Sequence, residues 1–109
     1  MIYKAEKIEP FHDFVLVRRV DASKTPSGLI LPEQQEQESN LALIVEVGHG
    51  IPDRPKPLCK PGEYWLLARF IGTKVVIDNV EYILVKWADC QAKVHFSEEA
   101  ITLLKTALK

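Results

Sequence analysis

The sequence has 109 residues, 47% of them hydrophobic, and its 14 basic and 15 acidic side chains leave a net charge of −1. This length predicts one domain over residues 1–109, and the hydrophobic content excludes a disordered chain. The charge balance argues against nucleic-acid binding, and no apolar run approaches the roughly 18 residues of a membrane span. Two cysteines are too few for a disulfide framework, and the N-terminal decapeptide has no apolar signal region, which favours the cytoplasm.

The first half of the chain predicts two strands joined by a long loop. Residues 14–17 and 41–47 are rich in β-branched side chains, and Gly48-His49-Gly50 permits a tight turn with positive φ after the second strand. Between them, residues 21–40 exceed the roughly 12–15 residues at which an irregular loop becomes uncommon. Polar flanks surround the apolar island Gly28-Leu29-Ile30-Leu31. The island either packs into this domain or is held out for a partner.

The second half predicts further short strands and one terminal helix. Residues 50–61 contain four prolines, which indicates a rigid loop or a reduced hairpin. Asp78-Asn79 is favourable turn chemistry for a hairpin. Ser97 is a suitable N-cap for a helix over residues 97–109, whose apolar side chains fall on one face. The predicted strands are 64–70, 74–77, 80–87 and 88–96.

No pattern of catalytic or metal-binding residues is present in the sequence. His12, His49 and His95 are isolated, and Cys59 and Cys90 have no partner at metal-ligand spacing. We therefore predict no enzyme activity, no catalytic residue and no metal. His12-Asp13 is interpreted as a capping or turn element. Trp65 and Trp87 lie within apolar strands, which favours packing in the core or at a subunit interface over a ligand platform.

Several segments resemble the GroES-type co-chaperonins, the ring-shaped lids of chaperonins, from about residue 8 to residue 94. Ile8-x-Pro10-x-His12-Asp13-x-Val15 is similar to the opening I-x-P-L-H-D-R-V of that family, and residues 28–31 resemble its G-I-V-L mobile-loop element. The other matching segments are Val45–Gly50, Lys60-Pro61-Gly62-Glu63, Gly72-Thr73-Lys74, Ile77-Asp78-Asn79 and Tyr82–Val85.

Three features depart from the family pattern. The segment over residues 50–61 is shorter and richer in proline than the family's roof hairpin, which implies a reduced roof and an open top. Residues 1–7 and the terminal helix are additional. Co-chaperonins of T-even-type bacteriophages also depart in the roof and carry a similar S-G-L-I-I loop, so a viral origin, and hence a host cytoplasm, is one interpretation.

The resemblance implies an all-β, GroES-like, partly open barrel with a mobile loop and a short C-terminal helix. It implies a heptameric ring that caps an ATP-bound GroEL-type chaperonin and encloses non-native substrate protein, and it implies no cofactor. In the family the loop tripeptide docks on the chaperonin, which assigns the contact to Leu29, Ile30 and Leu31, with Gly28 supplying the preceding turn. Ring contacts would join Ile8, Pro10 and Phe11 of one subunit to Ala92 and Val94 of its neighbour.

Two other functions are compatible with parts of the sequence. A monomeric β-barrel binding module could use the long loop to hold a partner, without nucleotide dependence. A degenerate relative of the alcohol dehydrogenase catalytic domain would share the fold, and Gly48-His49-Gly50 faintly resembles a segment of those enzymes. That function needs zinc, for which the sequence offers no ligand set.

Overall fold

The computed structural model describes residues 2–3, 6–20, 40–53 and 56–105. Within these residues seven strands form one sheet and a short helix follows the last strand. This confirms the predicted all-β class with a terminal helix. The elements are β1 (Ile2–Tyr3), β2 (Phe14–Arg19), β3 (Leu41–Val47), β4 (Tyr64–Leu67), β5 (Thr73–Ile77), β6 (Val80–Lys86), β7 (Cys90–Val94) and α1 (Glu98–Leu104).

The sheet has the strand order β1-β5-β6-β2-β3-β4-β7. Only β1 and β5 run parallel, and every other neighbouring pair is antiparallel. The central strand β2 is bonded to β3 on one side and to β6 on the other. In the described part of the chain β1 and β7 remain at opposite edges, so the sheet is open, as the predicted partly open barrel requires.

The predicted hairpin around Asp78-Asn79 is confirmed in detail. Ile77 pairs with Val80, so the connection between β5 and β6 is a two-residue loop. Asp78 and Asn79 have φ values of 50° and 67°. Positive φ at both loop positions is the geometry of the tight hairpin turns that match the twist of a sheet, and Asp and Asn tolerate it better than most residues.

The main core lies on one face of the sheet and follows the two-residue period of the strands. Val15 and Val17 of β2 point into it and are fully buried. Trp65 and Trp87 pack against it as an edge-to-face pair with centroids 5.1 Å apart, which agrees with the first of the two packing roles predicted for them, core or subunit interface. The buried members of this main core are Val15, Val17, Ala42, Ile44, Cys59, Leu67, Ile83 and Val85.

The face of β2 that points away from the main core lies next to the N-terminal segment. Leu16 points away from the main core and is only 2% exposed. Together with Ile8, Val45 and Tyr82 it lines a cavity of about 170 Å³. Residues 6–8 therefore lie along this side of the sheet. Pro10, two residues further on, is buried.

Several predicted boundaries differ from the structure. Strand β1 was not predicted, because two residues carry no readable period. Strand β4 ends at Leu67 instead of residue 70, after a register shift beside β7. A 3₁₀ turn, Trp87–Asp89, occupies the place where two strands were expected to meet.

Three predicted segments fall partly or wholly outside the described residues. Of the predicted loop 21–40, only Asn40 is described. In the roof segment, residues 50–53 and 56–61 are described and form no strand. The helix is described to Leu104, followed by one further residue, whereas the prediction extended to residue 109. No helix among these described ranges has the length and apolarity needed to cross a membrane.

Candidate functional site

The structure describes all three histidines, and none belongs to a metal-binding group of described residues. His12 and Asp13 lie in a turn, as predicted, with His12 at a φ of 55°. The Asp13 carbonyl accepts a hydrogen bond from the Trp87 N–H at 2.8 Å, which ties this turn to the end of β6. His49 Nε2 lies 3.6 Å from Glu9 Oε1 at the surface. Across the described ranges, no group of three or more His, Cys, Asp or Glu side chains could hold a metal ion.

The two cysteines are free thiols embedded in apolar surroundings. Burial raises the pKa of the Cys59 thiol to about 11 and that of the Cys90 thiol to about 12. A thiol with so high a pKa is protonated at neutral pH, whereas a nucleophilic cysteine needs the thiolate. The cysteines therefore act as small core side chains.

Segment 21–39 is flanked by Val20 on one side and by Asn40 and strand β3 on the other. These flanking residues are hydrogen-bonded to the sheet, and we call their junction the neck. The Val20 N–H donates to the Leu41 carbonyl at 3.0 Å, next to the Arg19–Ala42 pair of β2 and β3. On the other side, the Leu67 N–H donates to the Asn40 carbonyl at 2.9 Å. The residues at both ends of the segment are thereby joined to the sheet, and they lie side by side in it.

A second apolar cluster lies at this neck and is separate from the main core. We call it the end cluster, and its buried members are Val20, Leu41, Tyr64 and Leu104. Tyr64 also meets Phe96 edge to face, with ring centroids 5.7 Å apart. The helix periodicity predicted that Leu104 would be buried. No sequence signal identified Val20 and Leu41 as the surface against which it packs.

The two predicted groups of site residues have different outcomes. Gly28, Leu29, Ile30 and Leu31 lie outside the described residues. The predicted ring-contact residues all lie within the described residues. Phe11 is 67% exposed in an irregular segment, and Ala92 is exposed on the edge strand β7. Ile8 and Val94 are half-buried, and Pro10 is buried.

Strand β7 is fixed to the sheet on one side by β4. Tyr64 pairs with Val94 and Leu66 with Ala92. A salt bridge between Lys93 Nζ and Glu63 Oε2 supports the same pairing from the side chains. This anchoring holds the opposite edge of β7 in an extended conformation.

The chain is similar to known proteins over most of its length. The family described as Chaperonin 10 Kd subunit matches residues 7–94. A Co-chaperonin GroES of Dinoroseobacter shibae is 36% identical over 73% of this chain and 82% of its own length. A Co-chaperonin GroES of Alkaliphilus oremlandii is 34% identical over 80% and 97%. The mitochondrial 10 kDa heat shock protein of Saccharomyces cerevisiae is 37% identical over 86% and 94%.

The family match ends at Val94, the last residue of β7, so it includes strands β2 to β7 and stops before α1. It agrees with the open all-β sheet and with the resemblance read from the sequence. The chain therefore belongs to the Chaperonin 10 Kd subunit family and is a co-chaperonin, a non-enzymatic chaperone protein.

Proposed function

We propose that the chain caps an ATP-bound GroEL-type chaperonin, and that Gly28, Leu29, Ile30 and Leu31 carry the contact. The family match over residues 7–94 is the observation that carries this proposal, because it spans the whole segment in which these residues lie. The neck supports it, since the described residues on either side of segment 21–39 are hydrogen-bonded to the sheet.

The energetics of such a contact favour weak binding by each loop. Burying three large aliphatic side chains stabilises the contact by about 5–9 kcal/mol. Ordering each backbone residue costs about 1–2 kcal/mol, so fixing five or six residues offsets most of that gain. One loop would then release easily, whereas several loops on one ring would bind tightly through their high effective concentration.

We further propose that the subunits form a ring, heptameric as in the family, that encloses non-native protein in the cytoplasm. Residues 8–11 of one subunit would meet Ala92 and Val94 of the next. A contact between two different surfaces of the same chain is the type that generates closed rings. The exposed Phe11 and the edge position of β7 support this arrangement.

The docking role is tested by Ile30→Asp, which places a charge in the apolar contact. We expect it to abolish ATP-dependent co-elution with a GroEL-type chaperonin in gel filtration, because an unpaired carboxylate is strongly disfavoured in an apolar groove. The matched control is Ile71→Asp. Ile71 is already 63% exposed, so the same change there should leave binding unaltered.

Retention of ATP-dependent binding by Ile30→Asp would refute the assignment of the docking residues. Failure of the wild-type chain to bind the chaperonin with ATP or without it would refute the capping function. A monomer that binds a peptide partner independently of nucleotide would favour the β-barrel binding module instead.

A further inference from the structure

The terminal helix α1 lies beyond the family match and depends on its contacts with the sheet. It begins after Ser97, whose Oγ accepts a hydrogen bond from the Ala100 N–H at 3.2 Å, and Glu98 and Glu99 occupy its first turn. Seven residues are too few for a stable isolated helix in water. Its persistence therefore rests on the apolar face, where Ile101 is half-buried and Leu104 is fully buried.

That face packs on the neck of segment 21–39. The end cluster joins Leu104 to Val20 and Leu41, and Val20 is fully buried while Leu41 is 6% exposed. These two residues are also joined by the hydrogen bond that closes the neck. Half of the buried residues of the end cluster are thus neck residues. The helix that packs on them lies after residue 94, where the family match ends.

We propose that α1 is a clamp on the neck, and that Leu104 is a positioning residue for chaperonin binding. This inference rests on the proposed docking function of the loop. By burying Val20 and Leu41 together, Leu104 keeps both ends of the segment in register with the sheet. Ends held in fixed positions reduce the conformational entropy that any connecting segment loses when it is ordered on a partner.

The proposed clamp can be tested on the free protein, without the chaperonin. In Leu104→Ala, the Val20 and Leu67 amides, which donate to Leu41 and Asn40, should exchange with solvent at least about tenfold faster, because local opening governs exchange. The Gly48 amide, which donates to the Phe14 carbonyl at the other end of the β2–β3 pair, should be unchanged.

The same variant should bind more weakly to the chaperonin. We expect Leu104→Ala to raise the Kd for an ATP-bound GroEL-type ring at least about fivefold. Each loop would lose a little binding free energy, and these losses add up over the several loops of a ring. The matched control is Leu103→Ala, the same truncation on the adjacent, 40% exposed residue of the helix. Leu104→Met, which preserves the apolar volume, should restore wild-type affinity and exchange.

The outcomes separate the clamp from the docking function. If wild-type protein binds and Leu104→Ala binds equally well, although its neck amides exchange faster, the positioning role is wrong. Unchanged exchange at Val20 and Leu67 would show that the helix does not hold the neck. If the wild-type chain itself does not bind the ring, the proposed docking function fails, and the role of Leu104 in it fails as well.

Discussion

At the scale of single residues, the two glycines of Gly48-His49-Gly50 serve different purposes. Gly50 has a φ of +84°, the positive value that the sequence predicted for this turn. Gly48 has no positive φ and is required for space. A Cβ atom there would lie 2.4 Å from the His12 carbonyl oxygen, and the Gly48 N–H donates to the Phe14 carbonyl at 2.9 Å. The close approach of two backbone segments thus selects glycine.

We expect Gly48→Ala to lower the free energy of unfolding by about 3 kcal/mol, because backbone atoms must move to admit the methyl group. The comparison is Gly62→Ala, where φ is +92° and a Cβ would meet no atom within 4 Å. That change introduces only backbone strain of about 1–2 kcal/mol. Urea unfolding followed by tryptophan fluorescence measures both values. Equal losses in the two variants would contradict the steric role of Gly48.

The sequence predicted the roles of single residues well where their partners are neighbours in the chain, and poorly where the partners are distant. The turn at Asp78-Asn79 and the cap at Ser97 are formed by neighbouring residues, and both were predicted. The clash that selects Gly48 depends on residues more than thirty positions earlier, which no local rule identifies.

At the scale of elements, Glu63 joins the start of β4 to β7. Its Oε1 accepts hydrogen bonds from the Lys60 N–H at 2.8 Å and from Trp65 Nε1 at 3.2 Å, and its Oε2 pairs with Lys93. Desolvation by burial acts to raise the pKa of the Glu63 carboxyl. The hydrogen bonds from Lys93, Lys60 and Trp65, together with the charge of Lys93, outweigh it and lower the pKa from 4.5.

A carboxyl with a lowered folded-state pKa stabilises the fold above its unfolded-state pKa, and this stabilisation disappears as the pH falls through the folded-state value. We therefore expect Glu63→Gln to reduce the free energy of unfolding at pH 7 by about 1 kcal/mol. The difference from wild type should shrink below pH 4.5, which chemical unfolding over a pH series measures. Glu81→Gln, at an exposed position of β6, is the control. A difference that does not vary with pH would contradict this account.

Element prediction succeeded where the apolar period was long and failed where it was short. The exact bounds of β3 were predicted because seven apolar-rich residues end at a glycine turn. Strand β1 was missed, since its parallel pairing with β5 is purely a tertiary contact. The register shift between Leu66 and Leu67 also left no mark in the sequence and shortened β4.

At the scale of the whole molecule, apolar side chains are exposed in both groups of residues that were predicted to form the ring contact. Phe11 is 67% exposed, and β7 presents Ala92 at the sheet edge. The resemblance predicted that both groups lie in the ring contact, and this stays a prediction. Sequence reasoning from a single chain finds residues that form its own core. It finds an intersubunit surface only through similarity to an assembled family.

We expect Phe11→Ser to shift the protein toward smaller species. Burial of an aromatic side chain stabilises a contact by about 1.5–3 kcal/mol, so its loss should weaken each contact at least about tenfold. The stability of the separate subunit should change by less than about 0.5 kcal/mol, since the side chain is already exposed. Native mass spectrometry over a concentration series tests this. Leu58→Ser, at a 76% exposed position outside the proposed contact, is the control. An unaltered oligomer distribution would remove Phe11 from the contact.

The closed neck between Val20 and Leu41 also bears on how the protein can be altered. The strands before and after it are joined directly, so their own hydrogen bonds hold their register. The free energy of closing a loop changes by only about 0.6 kcal/mol when its length doubles. On the proposed docking function, exchanging segment 21–39 would retarget the same scaffold to another chaperonin without a change in the main core.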